Sequence, residues 1–343
     1  MRGWLTLLCA LLLGSCGHEP LYQSQSYVFG TLVDISIYGE SDERARQLAS
    51  HVEQEFQRLH QQLHAWKPGS ELYQLNMALA AGKPAPVSPE LAALLKDATQ
   101  LSERSGGTFN PAIGGLIHLW GFQRDEFTPV QPDPQQVAEW VKAAPQMSDL
   151  VIEHGQVSSA NRAVKIDLGG YAKGYALDLA AAYLRHEKVH GALINIGGNI
   201  IALGAHGDHP WRVGIQHPRK PGPMATLDLP DGWAIGTSGD YQRYFELAGK
   251  RYCHLIDPRS GYPVQGVQAV TILVPPGDHA GTLSDAASKP IFIAGAAAWH
   301  QAAATMGMTH VLMVDGQGKW HLTQAMQQRL KLVENNVPLE VLP

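Results

Sequence analysis

The sequence predicts an α+β fold in which helices pack on a largely antiparallel sheet. Three segments, residues 41–64, 88–101 and 172–183, carry apolar residues at the 3.6-residue period of a helix with one buried face. The second half of the chain instead holds short apolar segments separated by turn-forming residues. Strands joined by such short connections pair antiparallel, because parallel neighbours need a crossover of about a dozen residues or more.

Length and composition limit what the chain can be. It has 343 residues, 45% of them hydrophobic, so it can bury a core without covalent cross-links. No internal repeat, low-complexity tract or long linker divides it, which favours one compact unit. The net charge of −5 and the lack of a basic stripe argue against a nucleic-acid partner.

The first half of the chain gives mostly helical signals. Residues 27–38 alternate between apolar and polar at their end and are predicted as one half-buried strand, with Gly30 at a point of close approach. Ser41 is the predicted N-cap of a helix that ends near residue 64. Residues 66–76 are assigned to a loop, and Ser88 opens the next helix.

The remaining helices and strands are shorter. A short helix is predicted over residues 137–143. The Gly197-Gly198 pair is interpreted as an interruption between two apolar strand segments, with a β-bulge as the alternative. The predicted strands cover residues 150–153, 164–166, 192–203, 211–215, 225–229, 233–235, 243–247, 252–256 and 269–274.

Residues 164–183 combine a strand end, a Gly-Gly break and a helix start. Such a junction can bind an anion, because free N–H groups and the positive end of the helix dipole point out of the helix. Asp167 precedes the Gly169-Gly170 pair and Lys173 follows it, so opposite charges flank one opening. A tight turn with no ligand is the alternative. The spacing matches neither a dinucleotide fingerprint nor a P-loop.

Two further groups could carry chemistry. His254 is a candidate general base, which Asp257 could orient, and Arg259 could bind a phosphate or pair with Asp257. The alternative is a turn held together by a structural Asp–Arg network. Asp285 lies among small residues and is a candidate ligand for a hard cation, or a capping or salt-bridged carboxylate.

The beginning of the chain resembles an export signal of a bacterial lipoprotein. Arg2, a short apolar run and the sequence Leu-Gly-Ser before Cys16 form this pattern, with an ordinary signal peptide as the alternative. We therefore expect a signal peptide over residues 1–15, a lipid-anchored tether over 16–26 with the lipid on Cys16, and a single domain over 27–343. Cys253 then remains alone, which excludes an internal disulfide and a Cys-based zinc site.

Seven motifs in order resemble those of the ApbE-type FAD:protein FMN transferase family. Among them are D-L-G-G-Y-A-K-G-Y-A at residues 167–176, T-S-G-D-Y at 237–241 and H-L-I-D-P-R-S-G-Y-P at 254–263. The resemblance covers nearly all of the chain that follows the signal. The other four motifs occur at residues 29–31, 70–76, 107–111 and 195–199.

This resemblance implies a reaction and a set of site residues. A Thr or Ser hydroxyl of an acceptor protein carrying a D-x-x-[ST]-G-A-[ST] motif would attack the FMN-side phosphorus of FAD, with His254 as base, and AMP would leave. Mg²⁺ on the pyrophosphate would be held by the Gly170 carbonyl, by Asp285 and by the residue at position 289. The residues implied to bind FAD are Phe29, Trp66, Thr108, Phe109, Asn110, Asp167, Lys173 and Leu255.

One departure from the family pattern affects the metal site. Lys289 stands where the family has a metal-binding Thr, and Pro290 follows it. We expect Lys289 to point away and Asp285 to keep the metal with water; the alternative is that the ammonium group pairs with the pyrophosphate and partly replaces the ion.

The functional prediction is FMN transfer to exported redox proteins by a lipid-anchored enzyme of the bacterial cell envelope that faces the periplasm. Gly17, the residue after the lipid-bearing Cys, does not settle whether the inner or the outer membrane holds the anchor. The alternatives are hydrolysis of FAD to FMN and AMP, or a non-catalytic FAD-binding lipoprotein.

Overall fold

The computed structural model describes residues 21–124, 126, 128–334 and 337–343. Its helices are α1 (Asp42–Gln62), α2 (Glu71–Ala80), α3 (Pro89–Arg104), α4 (Gly114–Leu119), α5 (Pro134–Ala143), α6 (Ala172–His186), α7 (Ala280–Ala286), α8 (Ser288–Met306) and α9 (Gln324–Gln327). Its strands are β1 (Leu21–Val28), β2 (Thr31–Tyr38), β3 (Ala85–Pro86), β4 (Leu150–Glu153), β5 (Gln156–Ser159), β6 (Gly191–Ile196), β7 (Asn199–Gly204), β8 (Trp211–Gln216), β9 (Pro223–Leu229), β10 (Ala234–Gly239), β11 (Tyr244–Leu247), β12 (Lys250–Cys253), β13 (Ile256–Asp257), β14 (Tyr262–Pro263), β15 (Val267–Val274), β16 (His310–Asp315), β17 (Trp320–Thr323), β18 (Lys331–Leu332) and β19 (Leu339–Leu342).

A nine-stranded sheet organises the fold. Its strand order is β1-β2-β6-β7-β10-β15-β16-β17-β19, and every neighbouring pair is antiparallel except β17 and β19. Smaller sheets join β8 with β9 and β18, and β3 with β4 and β5. The predicted α+β class with a largely antiparallel sheet is confirmed.

Both faces of the large sheet are covered at its centre. Every residue of β15 is buried, and its side chains alternate between two apolar clusters. Val270 and Ile272 face the cluster that contains α1, α6 and α8, whereas Ala269 and Leu273 face the cluster that contains β8 and β9. This two-sided burial fixes the register of the strand, since a one-residue slip would exchange its faces.

The two long N-terminal helices begin where their capping residues predict. The Ser41 hydroxyl accepts a hydrogen bond from the Arg44 N–H, and the Ser88 hydroxyl accepts one from the Leu91 N–H. A side-chain oxygen at this position satisfies one of the N–H groups that a helix start leaves unpaired. Pro89 follows Ser88 at the first turn, where its missing N–H costs nothing.

The prediction of one strand over residues 27–38 was wrong, because the chain turns at Phe29 and Gly30. Both residues have positive φ, 56° and 71°, and Val28 pairs directly with Thr31. Two central residues with positive φ make the tight turn that suits a β-hairpin. Residues 21–26, assigned to a tether, instead lie in β1 at one edge of the sheet.

The Gly197-Gly198 pair interrupts two strands as predicted: with φ of 58° and 94°, these residues form the turn between β6 and β7, and the alternative of a β-bulge is wrong. Two more local predictions were wrong. Residues 164–166 contribute only an isolated bridge from Lys165 to Ile113. Residues 70–76 belong largely to α2, which Ser70 caps by accepting from the Tyr73 N–H.

The predicted signal peptide and Cys16, the predicted site of lipid attachment, lie outside the described residues. Within the described ranges, no helix is both long enough and apolar enough to cross a membrane.

Candidate active site

The Gly-Gly break before α6 is held open by a network around Asp167. The Gly169 N–H donates to Asp167 Oδ1 over 2.8 Å, and Trp66 Nε1 donates to Asp167 Oδ2 over 2.9 Å. Lys173, one residue into α6, donates from Nζ to the Gly169 carbonyl over 3.0 Å. Asp167, Trp66 and Lys173 therefore meet at the break.

A buried asparagine fixes the chain that leads into this break. Asn76 on α2 is only 4% exposed, and its amide donates to the Ile166 carbonyl over 2.8 Å and accepts from the Ile166 N–H over 2.7 Å. Such a paired contact imitates a strand neighbour and satisfies two buried backbone groups. No role was predicted for Asn76, although a polar residue on an otherwise apolar helix face is a readable signal.

The loop of residues 108–111 lies beside the same break. The Asp167 N–H donates to the Pro111 carbonyl over 2.8 Å. Asn110 donates to the Pro145 carbonyl, also over 2.8 Å, and the Thr108 hydroxyl donates to the Ser105 carbonyl. Phe109 is 4% exposed, so its side chain belongs to the core more than to a ligand surface.

Two other residues predicted to bind FAD are placed by apolar packing. The ring of Phe29 contacts those of Phe56 and His60 on α1, with centroid distances of 6.2 and 5.6 Å. Leu255 is 6% exposed and packs in the core. Because the Leu255 side chain is buried, a ligand could contact this residue mainly through its backbone.

Glycines let α6 and α7 approach closely enough to bring Asp285 to the break. A Cβ on Gly174 would lie 2.4 Å from the Gly281 carbonyl oxygen, and a Cβ on Gly281 would lie 2.5 Å from the Gly174 carbonyl oxygen. At this distance the Gly174 N–H donates to Asp285 Oδ2 over 3.1 Å. Asp178 adds a second link between the helices, accepting from the N–H groups of Gly281 and Thr282 over 2.6 and 2.8 Å. This role of Asp178 was not predicted.

Lys289 points into the site, not away from it as expected. Its ammonium group donates to Asp285 Oδ1 and, over 2.6 Å, to the Asp285 carbonyl, and Lys173 Nζ lies 3.6 Å from Asp285 Oδ2. Asp285 is 1% exposed. Burial alone would raise its pKa, but the two ammonium groups hold the pKa at about 2. Lys289 is also next to Gly170, whose Cβ position is 3.1 Å from Lys289 Cε.

The residues present do not fit a divalent cation at this place. Both oxygens of the Asp285 carboxylate already accept hydrogen bonds, from Lys289 and from the Gly174 N–H. An ammonium group cannot be a metal ligand, and it repels a cation beside it. Within the described part of the chain, no group of three or more His, Cys, Asp or Glu side chains is arranged to hold a metal ion.

His254 lies at the end of β12, close to these charges. Its Nδ1 is 3.3 Å from the Arg243 carbonyl oxygen, which can only accept, so Nδ1 carries the proton and Nε2 is left as an acceptor. Burial, together with the positive charges of Arg243, Lys173 and Lys289, lowers the pKa of His254 to about 3. The imidazole is therefore neutral near pH 7, the form in which it can take a proton.

Asp257 does not orient His254, which corrects the prediction of a catalytic pair. The Arg259 side chain donates to both carboxylate oxygens of Asp257, over distances of 2.8–3.3 Å, and the Arg259 N–H donates to Oδ1. Among the described residues, no hydrogen bond joins Asp257 to His254. Asp257 and Arg259 thus form the structural turn network that was the alternative interpretation.

Similarity to known proteins identifies the family of this chain. A family model described as the ApbE family matches residues 29–313. The chain belongs to the ApbE family.

Relatives named FAD:protein FMN transferase are similar in sequence to most of the chain. A Rhodobacter capsulatus protein named FAD:protein FMN transferase is 41% identical over 315 residues, which are 92% of this chain but 59% of that protein. A Treponema pallidum protein of the same name is 34% identical over 82% of this chain and 83% of its own length. The chain thus spans well under two thirds of the Rhodobacter relative and most of the Treponema one.

Solved ApbE structures share the fold. The ApbE protein of Thermotoga maritima superposes with a TM-score of 0.82 at 29% identity, covering 90% of this chain and 99% of that one. The apo form of the flavinyl transferase ApbE of Pseudomonas stutzeri gives a TM-score of 0.79 at 27% identity, covering 92% and 98%.

Proposed function

We propose that this ApbE-family chain is an FAD:protein FMN transferase, which moves FMN from FAD to a Thr or Ser hydroxyl of an acceptor protein. One observation carries the proposal: the ammonium groups of Lys173 and Lys289 both lie at the Gly-Gly break. Burial, Arg243 and the charges of these two lysines lower the pKa of His254, so its imidazole is neutral. Positive charge beside an unprotonated base is what phosphoryl transfer from a pyrophosphate requires. The names of the relatives support the same reaction.

The chain's own residues account for the steps. The FAD pyrophosphate binds at the break, where the ammonium groups of Lys173 and Lys289 neutralise its charge. The acceptor hydroxyl oxygen forms a bond to the FMN-side phosphorus while the bond to the bridging oxygen breaks, and AMP leaves with that electron pair. His254 Nε2 takes the hydroxyl proton. The bound pyrophosphate offsets the nearby positive charge, so the pKa of His254 rises when it is needed as a base.

Incubation with FAD and an acceptor domain tests this proposal. The domain carries the D-x-x-[ST]-G-A-[ST] motif that we propose the enzyme recognises, and mass spectrometry should show one FMN attached to it through a phosphoester, with one AMP released. Release of free FMN and AMP would indicate hydrolysis instead, and intact bound FAD would indicate a binding protein. The variant His254→Ala should lose about 10²–10⁴-fold in rate, the usual worth of a general base.

We also propose that Cys16 anchors the protein to a membrane of the cell envelope, with the domain in the periplasm. The lipoprotein-like sequence before Cys16 supports this placement, as does the redox class of acceptor expected outside the cytoplasm. Mass spectrometry of the membrane-extracted protein should find diacylglycerol on Cys16; recovery of the native protein in the soluble fraction would contradict it. Magnesium, which the resemblance implied, is not part of the proposed mechanism, because Lys289 does not fit it.

A further inference from the structure

We infer that the Lys289 ammonium group takes the place of a divalent cation, so that this chain binds the pyrophosphate of FAD without a metal. The inference rests on the proposed function for the identity of the ligand. It concerns Lys289, which stands where the family's motif has a metal-binding Thr.

The side chain of Lys289 already takes up the Asp285 oxygen atoms that a bound cation would need as ligands. Its ammonium group donates to a carboxylate oxygen and to the main-chain carbonyl of Asp285. Those two contacts use two of its three N–H bonds. Lys289 also passes Gly170, with Cε 3.1 Å and Nζ 3.9 Å from the position of a Cβ there, so the ammonium group lies at the Gly-Gly break itself. The third N–H is available to an anion bound at that break.

The ammonium group is held in place and cannot readily leave for a metal. The Lys289 side chain is 14% exposed, and the Asp285 carboxylate that holds it is 1% exposed. Removing one partner of a buried ion pair leaves the other charge without compensation, which is costly. A metal entering here would have to break the ion pair of Lys289 with Asp285 and would add positive charge beside Lys173.

A tethered ammonium has consequences for the chemistry. It is always present at the site, so affinity for FAD does not depend on the free metal concentration. It also carries one positive charge where a divalent ion carries two, and it donates hydrogen bonds instead of accepting ligands. Lys173, on the other side of Asp285, supplies the second positive charge around the phosphates.

The direct test measures FAD affinity of the wild-type protein in excess EDTA and in millimolar Mg²⁺. Quenching of flavin fluorescence gives the dissociation constant in each buffer. The two dissociation constants should agree within about twofold, whereas loss of an interaction worth about 1.4 kcal/mol would change the constant tenfold. Mn²⁺ titrated with FAD present should show no bound fraction by electron paramagnetic resonance. A dissociation constant at least tenfold lower in Mg²⁺, or a stoichiometric Mn²⁺ site, would overturn the inference.

Two variants sharpen the test. Lys289→Thr removes the ammonium and provides a hydroxyl, so FAD binding should become metal-dependent, with at least a tenfold difference between EDTA and Mg²⁺. Lys289→Met should bind FAD about 10–100-fold more weakly than wild type in either buffer, the worth of a hydrogen bond to a charged group. Wild-type affinity of Lys289→Met in EDTA would refute the role of the ammonium.

Controls separate this inference from folding and from the proposed function. Lys96 is exposed on α3, and Lys96→Met should leave affinity unchanged in both buffers. Melting temperatures of the variants show whether they fold; if Lys289→Met does not fold, the wild-type comparison decides alone. If the protein binds FAD without a metal but labels no acceptor, the proposed function is overturned and the inference stands. If the protein labels an acceptor but binds FAD only with Mg²⁺, the inference is overturned and the proposed function stands.

Discussion

The close contact of α6 with α7 gives the sharpest prediction for this protein. In Gly174→Ala, the new methyl group would lie 2.4 Å from the Gly281 carbonyl oxygen and 2.7 Å from the Thr282 Cα, whereas ordinary contact begins at 3.4 Å. Both neighbours are backbone atoms, which cannot rotate away. The two helices must therefore separate by roughly 1 Å, an estimate in line with the rigidity of packed interiors.

The separation has an effect on stability and a larger effect on the site. Alanine gains about 0.5–1 kcal/mol over glycine within a helix, but overpacking costs about 1–3 kcal/mol. The free energy of unfolding should therefore fall by roughly 0–2.5 kcal/mol. The hydrogen bond from the Gly174 N–H to Asp285, now 3.1 Å long, would stretch beyond bonding distance. Asp285 positions both lysines, and a displacement of about 1 Å at a catalytic site can cost on the order of 10²-fold in rate.

The assay compares Gly174→Ala with a matched glycine variant. Gly277 has no atom within 4 Å of its Cβ position and no positive φ, so Gly277→Ala should keep wild-type stability and wild-type FMN transfer. For Gly174→Ala we expect a slightly lower urea midpoint and a transfer rate reduced about 10²-fold. A Gly174→Ala protein that transfers FMN at the rate of Gly277→Ala would refute the view that the interhelical contact positions the charges.

Three further predictions test other residues. Asp257→Asn should change the transfer rate less than about threefold, since Asp257 pairs with Arg259 and not with the base; a loss near that of His254→Ala would restore Asp257 to a catalytic role. Burial raises the pKa of Asp178 from 3.8 to about 6, so between these values the folded state binds more protons than the unfolded state. The contribution of Asp178 to stability therefore falls as the pH rises through this window. When the free energy of unfolding in urea is plotted against pH, Asp178→Asn should lack this decrease. Burial raises the pKa of Cys253 to about 12, so iodoacetamide should leave its thiol unmodified in the native protein and alkylate it in urea; rapid native labelling would show that the thiol is accessible.

The helices were predictable because their signals are local. Ser41 and Ser88 precede amphipathic segments, and each cap forms as its residue type requires. The turn at Phe29 was missed because an aromatic residue with positive φ is uncommon, so the alternation of residues 27–38 was extended through it. Strand β1 was missed because residues 21–26 form a polar edge strand with no apolar face to read.

The candidate site was only partly predictable for a different reason. Its charged residues were mostly singled out from their type and setting, and the others through the resemblance. Some of their contacts join segments more than 100 positions apart, such as Gly174 with Asp285. Whether Lys289 points toward Asp285 depends on the junction of α7 with α8, which no local pattern specifies. Asp257 was assigned to His254 on sequence spacing alone. Arg259 is nearer in sequence, and its guanidinium group matches the geometry of a carboxylate, so it pairs with Asp257 instead.

The chain order of the large sheet bears on how the protein matures. Successive strands are added from β1 at one edge to β19 at the other, so the polypeptide extends the sheet in the direction of its synthesis. Lys173 and the glycine break are made early, but their acidic partner on α7 and the ammonium group on α8 come more than 100 residues later. A nascent chain that stops before residue 280 lacks both Asp285 and Lys289, so we expect that it cannot bind FAD at the proposed site.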